Sequence, residues 1–467
     1  MIAITSASST VVNPHIGTFS LKGLKKPVLT CRTCQNCPPS PIQPGQPQAG
    51  HDPHHHAPAA DPHAVQTSLL GHRSFAFYWC ARTFTNGAYM MQAVAAGWQI
   101  YALTGSAFDL GLVGLVQFFP VVVLGLLVGH VADRYDRRRV AAACQIAKAL
   151  AAAAFAYGSY RGWLTRDAIL ALLFVSGTAR AFEAPTMHAM VPGIVPRQIL
   201  PRAIAASSTA NQTAIIVGPA IGGFLYAFGP STVYSICTVV FIAACVAVSL
   251  VNMQPTPPDQ KPVTLETLFA GFSFIWKHPV VLGAVSLDLF AVLLGGVTAL
   301  LPIYAKDILV TGPWGLGLLR SAPAIGALGM SIVLAHVQMQ HRIGHILFVT
   351  VAMFGVSSIA FAFSTYLVIS MIALTVYGAC DAISVVIRHS LVQTNTPHEM
   401  LGRVLAVNFM FTGTSGTLGE FRAGAVAAAF GAFTSVLVGG VGAVLVALLW
   451  MRLFPEIRRI DSLGPKH

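Results

Sequence analysis

Charge is what this sequence has least of. Among 467 residues there are 28 Lys or Arg and 16 Asp or Glu, so charged positions make up 9%, against roughly 25% in an ordinary soluble domain. A soluble globule of this length has too few charges here to cover its surface, and at 55% hydrophobic residues the chain is too apolar to stay disordered. Other absences narrow the function. There is no Gly-x-x-x-x-Gly-Lys-Ser/Thr loop, so no site for driving work with ATP is legible. His398-Glu399 is followed at the fourth position by Gly402, which breaks the zinc-protease spacing, and no Gly-x-Ser-x-Gly elbow occurs. The eight cysteines form no disulfide framework: Cys80, Cys144, Cys237, Cys245 and Cys380 are scattered through apolar stretches as small core residues. An enzyme is therefore not expected, and no cofactor.

What is present is a succession of apolar blocks. Their spans are 76–103, 108–131, 139–160, 166–187, 202–228, 231–251, 279–304, 313–337, 343–363, 365–392, 402–430 and 432–454. Each is long enough to cross a bilayer as a helix, where about 20 residues are needed, and too long for the roughly 10-residue alternating strands of a membrane barrel. The expected class is an all-α membrane protein of twelve transmembrane helices. The longest polar break, Asn252-Met-Gln-Pro-Thr-Pro-Pro-Asp-Gln-Lys261, divides them six and six, as in transporters built from repeats. The expected organisation is a disordered cytoplasmic extension over 1–72, a first six-helix bundle over 73–252, a cytoplasmic linker over 253–278, a second bundle over 279–455, and a tail over 456–467. Residues 189–200 and 264–277 mix apolar and polar positions at helical spacing and read either as interfacial helices or as ordinary connectors.

The net charge of +12 is mostly topology. One set of loops carries Arg134, Arg137, Arg138 and Arg139, then Arg197, Arg202, Lys261, Lys277, Arg342, Arg403, Arg452, Arg458, Arg459 and Lys466; the alternate set carries only Arg161, Arg166 and Lys306. The rich side is expected in the cytoplasm, with both termini, and no nucleic-acid partner follows from the charge. Residues 1–30 lack a charged start, a sustained apolar run and a small-residue cleavage site, so no signal peptide is expected there. Cys31, Cys34 and Cys37 with His51, His54, His55, His56 and His63 admit a metal-binding or sensing role, but no second Cys pair completes a site, so no bound metal is expected.

The most specific motif follows the second block: Gly129-His-Val-Ala-Asp133-Arg134-Tyr-Asp-Arg137-Arg138-Arg139. Glycine lets helix backbones approach, and an acid can cap a helix and pair with an arginine. The fifth block holds Gly218-Pro219-Ala-Ile-Gly222-Gly223, a kink with close packing. The first pattern resembles the signature of the major facilitator superfamily. That resemblance implies a conformational latch between two halves, carried by Gly129, Asp133, Arg134, Arg137 and Arg138. The family often has Gly where this chain has Asp136. The segment from Ala335 to Gly344 is a degenerate echo in the second half. The second pattern partly resembles the family's antiporter signature, on Gly218, Pro219, Gly222 and Gly223, with Ala205 and Ala214 where the longer motif has glycines.

Further landmarks are Trp98 to Gly105, Arg180-Ala-Phe-Glu-Ala-Pro185, Leu287-Asp-Leu-Phe290, Gly315 to Arg320, Gly378-Ala-Cys-Asp381 and Gly402-Arg-Val404. With them, residues 73–463 look like the enterobactin-exporter-like, or transmembrane secretion effector, branch. The segment Gly416-Thr-Leu-Gly-Glu420-Phe-Arg422 departs from it, because the branch leads one to expect Asn near Gly416 and an acid near Arg422. The resemblance implies a monomeric proton-coupled exporter of a small amphipathic molecule such as a siderophore or drug, in the bacterial inner membrane. An uptake permease or uniporter of the same fold, and a membrane-anchored metal sensor, are the rival readings.

Polar groups inside a bilayer are costly and so are functional candidates. They are Arg82 and Asn86, with Tyr89 on the same face; Asn211; Asp288; Asp381, with Ser384 and Arg388 on its face; and Glu420. The expectation is one central cavity between the halves. Asp288 is its first proton-coupling carboxylate, with Glu420 and Asp381 next. Arg82 balances an acid or an anionic substrate group, and a structural pair of Asp381 with Arg388 is the bland alternative.

Overall fold

The computed structural model describes residues 72–124, 135–196, 198–253, 265–337 and 341–461, with only the backbone at 265–269 and 398. Each apolar block carries a helix among its described residues. In the first half these are α1 (Arg73–Thr104), α2 (Ala107–Val123), α3 (Arg137–Arg161), α4 (Arg166–Met190), α5 (Leu200–Tyr226) and α6 (Pro230–Ser249). A thirteen-residue helix, α7 (Leu265–Lys277), lies in the linker segment. The second half has α8 (Pro279–Gly295), α9 (Gly312–His336), α10 (Ile343–Phe363), α11 (Leu367–Thr394), α12 (His398–Phe430) and α13 (Ala432–Leu453), closed by the short α14 (Pro455–Arg458). Among the described residues, eight helical stretches are long and apolar enough to cross a membrane. Large apolar side chains such as Phe224, Val239, Val368 and Leu445 point outward, where lipid accepts them and water would not.

Local sequence explains where the helices begin and end. Ser106 and Thr165 accept hydrogen bonds from the amides of Asp109 and Ala168, at 3.3 Å each, and so cap α2 and α4. Asp136, which stands where the family often has glycine, caps α3 by accepting from the Arg138 amide at 2.9 Å. Gly105 and Gly162 end α1 and α3 in the left-handed conformation that glycine adopts without strain. Residues 189–200 follow the connector reading and not that of an interfacial helix. α4 runs on to Met190, a single 3-10 turn covers Val191–Gly193, and α5 starts at Leu200, with prolines at Pro192 and Pro196 removing the donors a helix needs.

Within the first half α1 packs on α5 and α6, and α3 on α4 and α6; within the second, α9 packs on α11, α10 on α11 and α13, and α12 on α8. The halves cross in two places, α5 against α9 and α2 against α12, and small residues make both crossings. A Cβ on Gly223 would stand 2.4 Å from the Pro313 carbonyl oxygen and 2.9 Å from the Gly317 Cα; one on Gly111 would stand 2.9 Å from the Phe421 carbonyl oxygen. Both contacts lie toward the charge-poor end, as do the bond from the Tyr101 hydroxyl to Asp307 and Lys306 over the Tyr101 ring at 5.1 Å. The other hydrogen bond between the halves among the described residues runs from the Ser321 hydroxyl to the Ile216 carbonyl, 2.5 Å away. The halves are thus closed at the charge-poor end. Gly223→Leu would force α5 off α9, because the obstructing atoms are backbone. Spin labels across that end are expected to show longer distances than in wild type; unchanged distances would contradict the packing.

Candidate functional site

Among the described residues, hydrogen bonds and ion pairs tie the polar residues into several clusters. In the second half, the Arg388 guanidinium on α11 is hydrogen-bonded to the Asp288 carboxylate on α8, and both side chains are buried. Thr412 on α12 donates to the other Asp288 oxygen at 2.8 Å, and Arg388 Nε donates to the Ser384 carbonyl at 3.2 Å. Asp381 stands 4.0 Å from the same guanidinium and is 35% exposed. The pairing of Arg388 with Asp381 is therefore the weaker contact, and its close partner is Asp288. The reason is geometric: Asp381 lies two turns away on the same helix, whereas Asp288 faces Arg388 from the neighbouring one. A cavity of about 270 Å³ opens beside the pair, lined by Asp288, Arg388, His389, Asn408 and Thr412. Two carboxylates share one guanidinium here, which leaves one negative charge in surplus.

In the first half Arg82 meets no carboxylate among the described residues. It donates to the Tyr78 hydroxyl at 3.0 Å and lies 3.2 Å from His188 Nε2, so the acid expected to balance it is replaced by a tyrosine and a histidine from α4. Asn86 donates to Asn211 at 2.9 Å and ties α1 to α5. Glu420 sits at the crossing of α12 and α2. It accepts from Thr298 at 3.0 Å, and it fits because residue 114 is glycine: a Cβ there would lie 2.7 Å from its Oε2. Arg422, whose charge departs from the family pattern, points away from Glu420 and donates to the Leu293 and Leu294 carbonyls at 3.1 and 2.6 Å. It satisfies the C-terminal carbonyls of α8, where the backbone turns at Gly296 with φ +47°.

Of the latch motif, Gly129, Asp133 and Arg134 lie outside the described residues, as do most of the N-terminal extension with its cysteines and histidines, and residues 338–340 of the second-half echo. Arg137 donates to the Ala189 carbonyl at 2.8 Å and Arg138 to the Val251 carbonyl at 3.5 Å, so both hold α3 to neighbours within their own half. In the antiporter-like motif Gly218 and Gly222 pack on Met90 and Met91 of α1, whereas Gly223 faces α9.

Sequence reasoning missed a fully buried charge pair. Lys148 of α3 meets Glu183 of α4, with side-chain exposures of 1% and 8%. Gln145 donates to Glu183 at 2.8 Å and to Thr85 at 2.7 Å. The Arg180 guanidinium lies over the Tyr89 ring at 4.1 Å. Each is a charge inside an apolar helix and was legible by the same rule that singled out Asp288.

A family model described as "Transmembrane secretion effector" matches residues 65–466. The chain belongs to that family of major facilitator transporters. It is 26% identical over 403 residues to the enterobactin exporter of Citrobacter koseri, covering 85% of this chain and 95% of that one. A bacterial homologue of the human lysosomal transporter Spinster, solved inward-facing and unoccupied, superposes with a TM-score of 0.66 at 14% identity, over 84% of this chain and 98% of that one. The nucleoside transporter NupG gives 0.61 at 14% identity, over 82% and 99%. The all-α major facilitator fold is thus shared. The molecule is a multi-pass membrane transporter of small molecules and not an enzyme.

Proposed function

We propose that this transporter is a proton-coupled exporter of a small amphipathic molecule of the siderophore or drug-like class, working by alternating access as a monomer in the bacterial inner membrane. The observation that carries the coupling is the buried Asp288–Arg388 pair beside its cavity, with the partly exposed Asp381 4.0 Å from the same guanidinium. Two carboxylates and one guanidinium leave one negative charge in a medium that penalises it, and a proton cancels that charge. Both carboxylates face the same guanidinium, so either can carry the coupling proton. The export direction is supported by the enterobactin exporters among the relatives and by the partial antiporter-like motif. With the arginine-rich loops in the cytoplasm, closure at the charge-poor end corresponds to an inward-open state, ready to load from inside.

Replacing either acid by its amide leaves one carboxylate for Arg388 and no surplus charge to protonate. Asp288→Asn and Asp381→Asn are each expected to lose proton-driven flux in proteoliposomes while counterflow exchange of substrate continues. Proton-driven flux at the wild-type rate in both variants would refute the coupling. The direction of flux after a pH jump separates export from uptake.

A further inference from the structure

The Asp288 carboxylate is held from two helices. Arg388 on α11 bonds one oxygen, and the Thr412 hydroxyl on α12 donates to the other at 2.8 Å. The titratable groups that share its cavity or its cation, Arg388, His389 and Asp381, all belong to α11. Among the described residues, no side chain of α7, α10, α13 or α14, the other helices packed on α8, makes a hydrogen bond or ion pair to Asp288. Thr412 is thus the hydrogen-bonded link from Asp288 to α12. That helix also builds one of the two crossings between the halves. Glu420 stands eight residues past Thr412, about 12 Å along a helix, and lies against Gly114 of α2. A Cβ on Gly424 would stand 2.7 Å from the Gly111 Cα, and the Phe421 ring meets the Phe108 ring edge-on at 5.6 Å. Backbone against backbone leaves this crossing no slack, so a bend in α12 must be answered by α2.

We propose that Thr412 is a positioning residue that transmits the protonation state of Asp288 to the crossing of α12 and α2. The charged carboxylate accepts the Thr412 hydrogen. A proton arriving from water on that oxygen puts a second hydrogen between the two oxygens, so the hydroxyl turns. It then accepts from the carboxyl O–H, since a hydroxyl can donate or accept, and its own hydrogen is freed. The carbonyl one turn back on α12 takes that hydrogen, as the Gly413 carbonyl takes the one from Thr417 at 3.3 Å. Such back-bonding bends a helix. The new O–H is the only covalent change. The inference rests on Asp288 taking up a proton, and it adds how that event reaches the other half.

The test reads two signals from the full chain in lipid nanodiscs across a pH series, with neither substrate nor gradient. One is the infrared carbonyl band of the protonated acid, identified by its loss in Asp288→Asn. The other is the distance between spin labels on α2 and α12. In wild type both are expected to change over the same pH range. In Thr412→Val the band should titrate about one pH unit higher, because a hydrogen bond to the charged form is gone, while the distance stops following pH. Thr412→Ser keeps the hydroxyl and should behave as wild type. Thr412→Ala should match the valine variant, and it carries the test if valine prevents folding. A wild-type distance indifferent to pH, a distance that still follows pH without the hydroxyl, or an unmoved titration would overturn the proposal. Proton-driven flux that persists in both Asp288→Asn and Asp381→Asn would remove the coupling reading while leaving both signals in place, so the two failures are told apart.

Discussion

Lys148→Met is expected to cost about 3–5 kcal/mol of stability, the range for breaking a buried ion pair by removing one partner. The reason is the Glu183 carboxylate, which keeps its Gln145 hydrogen bond but loses the one ion-pair partner it has among the described residues. The side chain of Lys148 is 1% exposed, so water cannot move in to replace it. A lower thermal midpoint and a smaller monodisperse peak after detergent extraction would register the loss. The double variant Lys148→Met/Glu183→Gln should recover most of it. Two neutral groups need no pairing, and glutamine still accepts from Gln145. A single variant as stable as wild type would show that the pair carries no such weight. A double variant no better than the single would assign the loss to other contacts of the Lys148 side chain, whose Nζ lies 5.9 and 5.8 Å from the Phe241 and Tyr89 ring centroids.

Arg388→Leu should be comparably severe, for a different reason. It leaves two carboxylates, Asp288 and Asp381, with no cation between them, and Thr412 is the one remaining hydrogen-bond donor to Asp288 among the described residues. Like charges at membrane depth are relieved only by protonation. The stability gap to wild type is therefore expected to be about 3–5 kcal/mol at neutral pH and to narrow as pH falls. The sign follows from linkage: protons taken up by the folded variant stabilise it as they become available. Thermal midpoints of the variant and wild type across a pH series provide the check, and a gap that widens on acidification would count against the shared-charge reading. Adding Asp288→Asn to Arg388→Leu should restore stability at neutral pH without restoring proton-driven flux.

Much of this molecule was visible in one dimension. Scarce charge and long apolar blocks imply membrane helices because a lipid interior satisfies no backbone donor, so every block must be a helix that satisfies its own. Each block carries a helix among its described residues, and the capping residues explain several of their ends. The glycines of the fifth block announced close approach, and Gly218, Gly222 and Gly223 do pack against backbone or Cβ atoms of neighbouring helices. The rule that membrane-embedded charges are functional candidates picked out Asp288, Asp381 and Arg388, which do share one cluster.

Partnership was the part that stayed hidden. Asp288 and Arg388 are 100 residues apart, and nothing in their local sequence says which helices lie side by side. Arg422 reads as an anomaly until α8 is seen to end against it, with carbonyls that need a donor. Arg82 loses its expected acid for the same reason, since α4 delivers a histidine to that spot. Helical periodicity states which residues share a face, but a face acquires a partner only when a dozen helices pack at once. Composition and period therefore determined the class, the helices and the polar candidates. The tertiary structure decided the charge balance of each cluster, such as the surplus negative charge where Asp288 and Asp381 face one Arg388. That balance depends on which distant side chains are brought within a few ångströms.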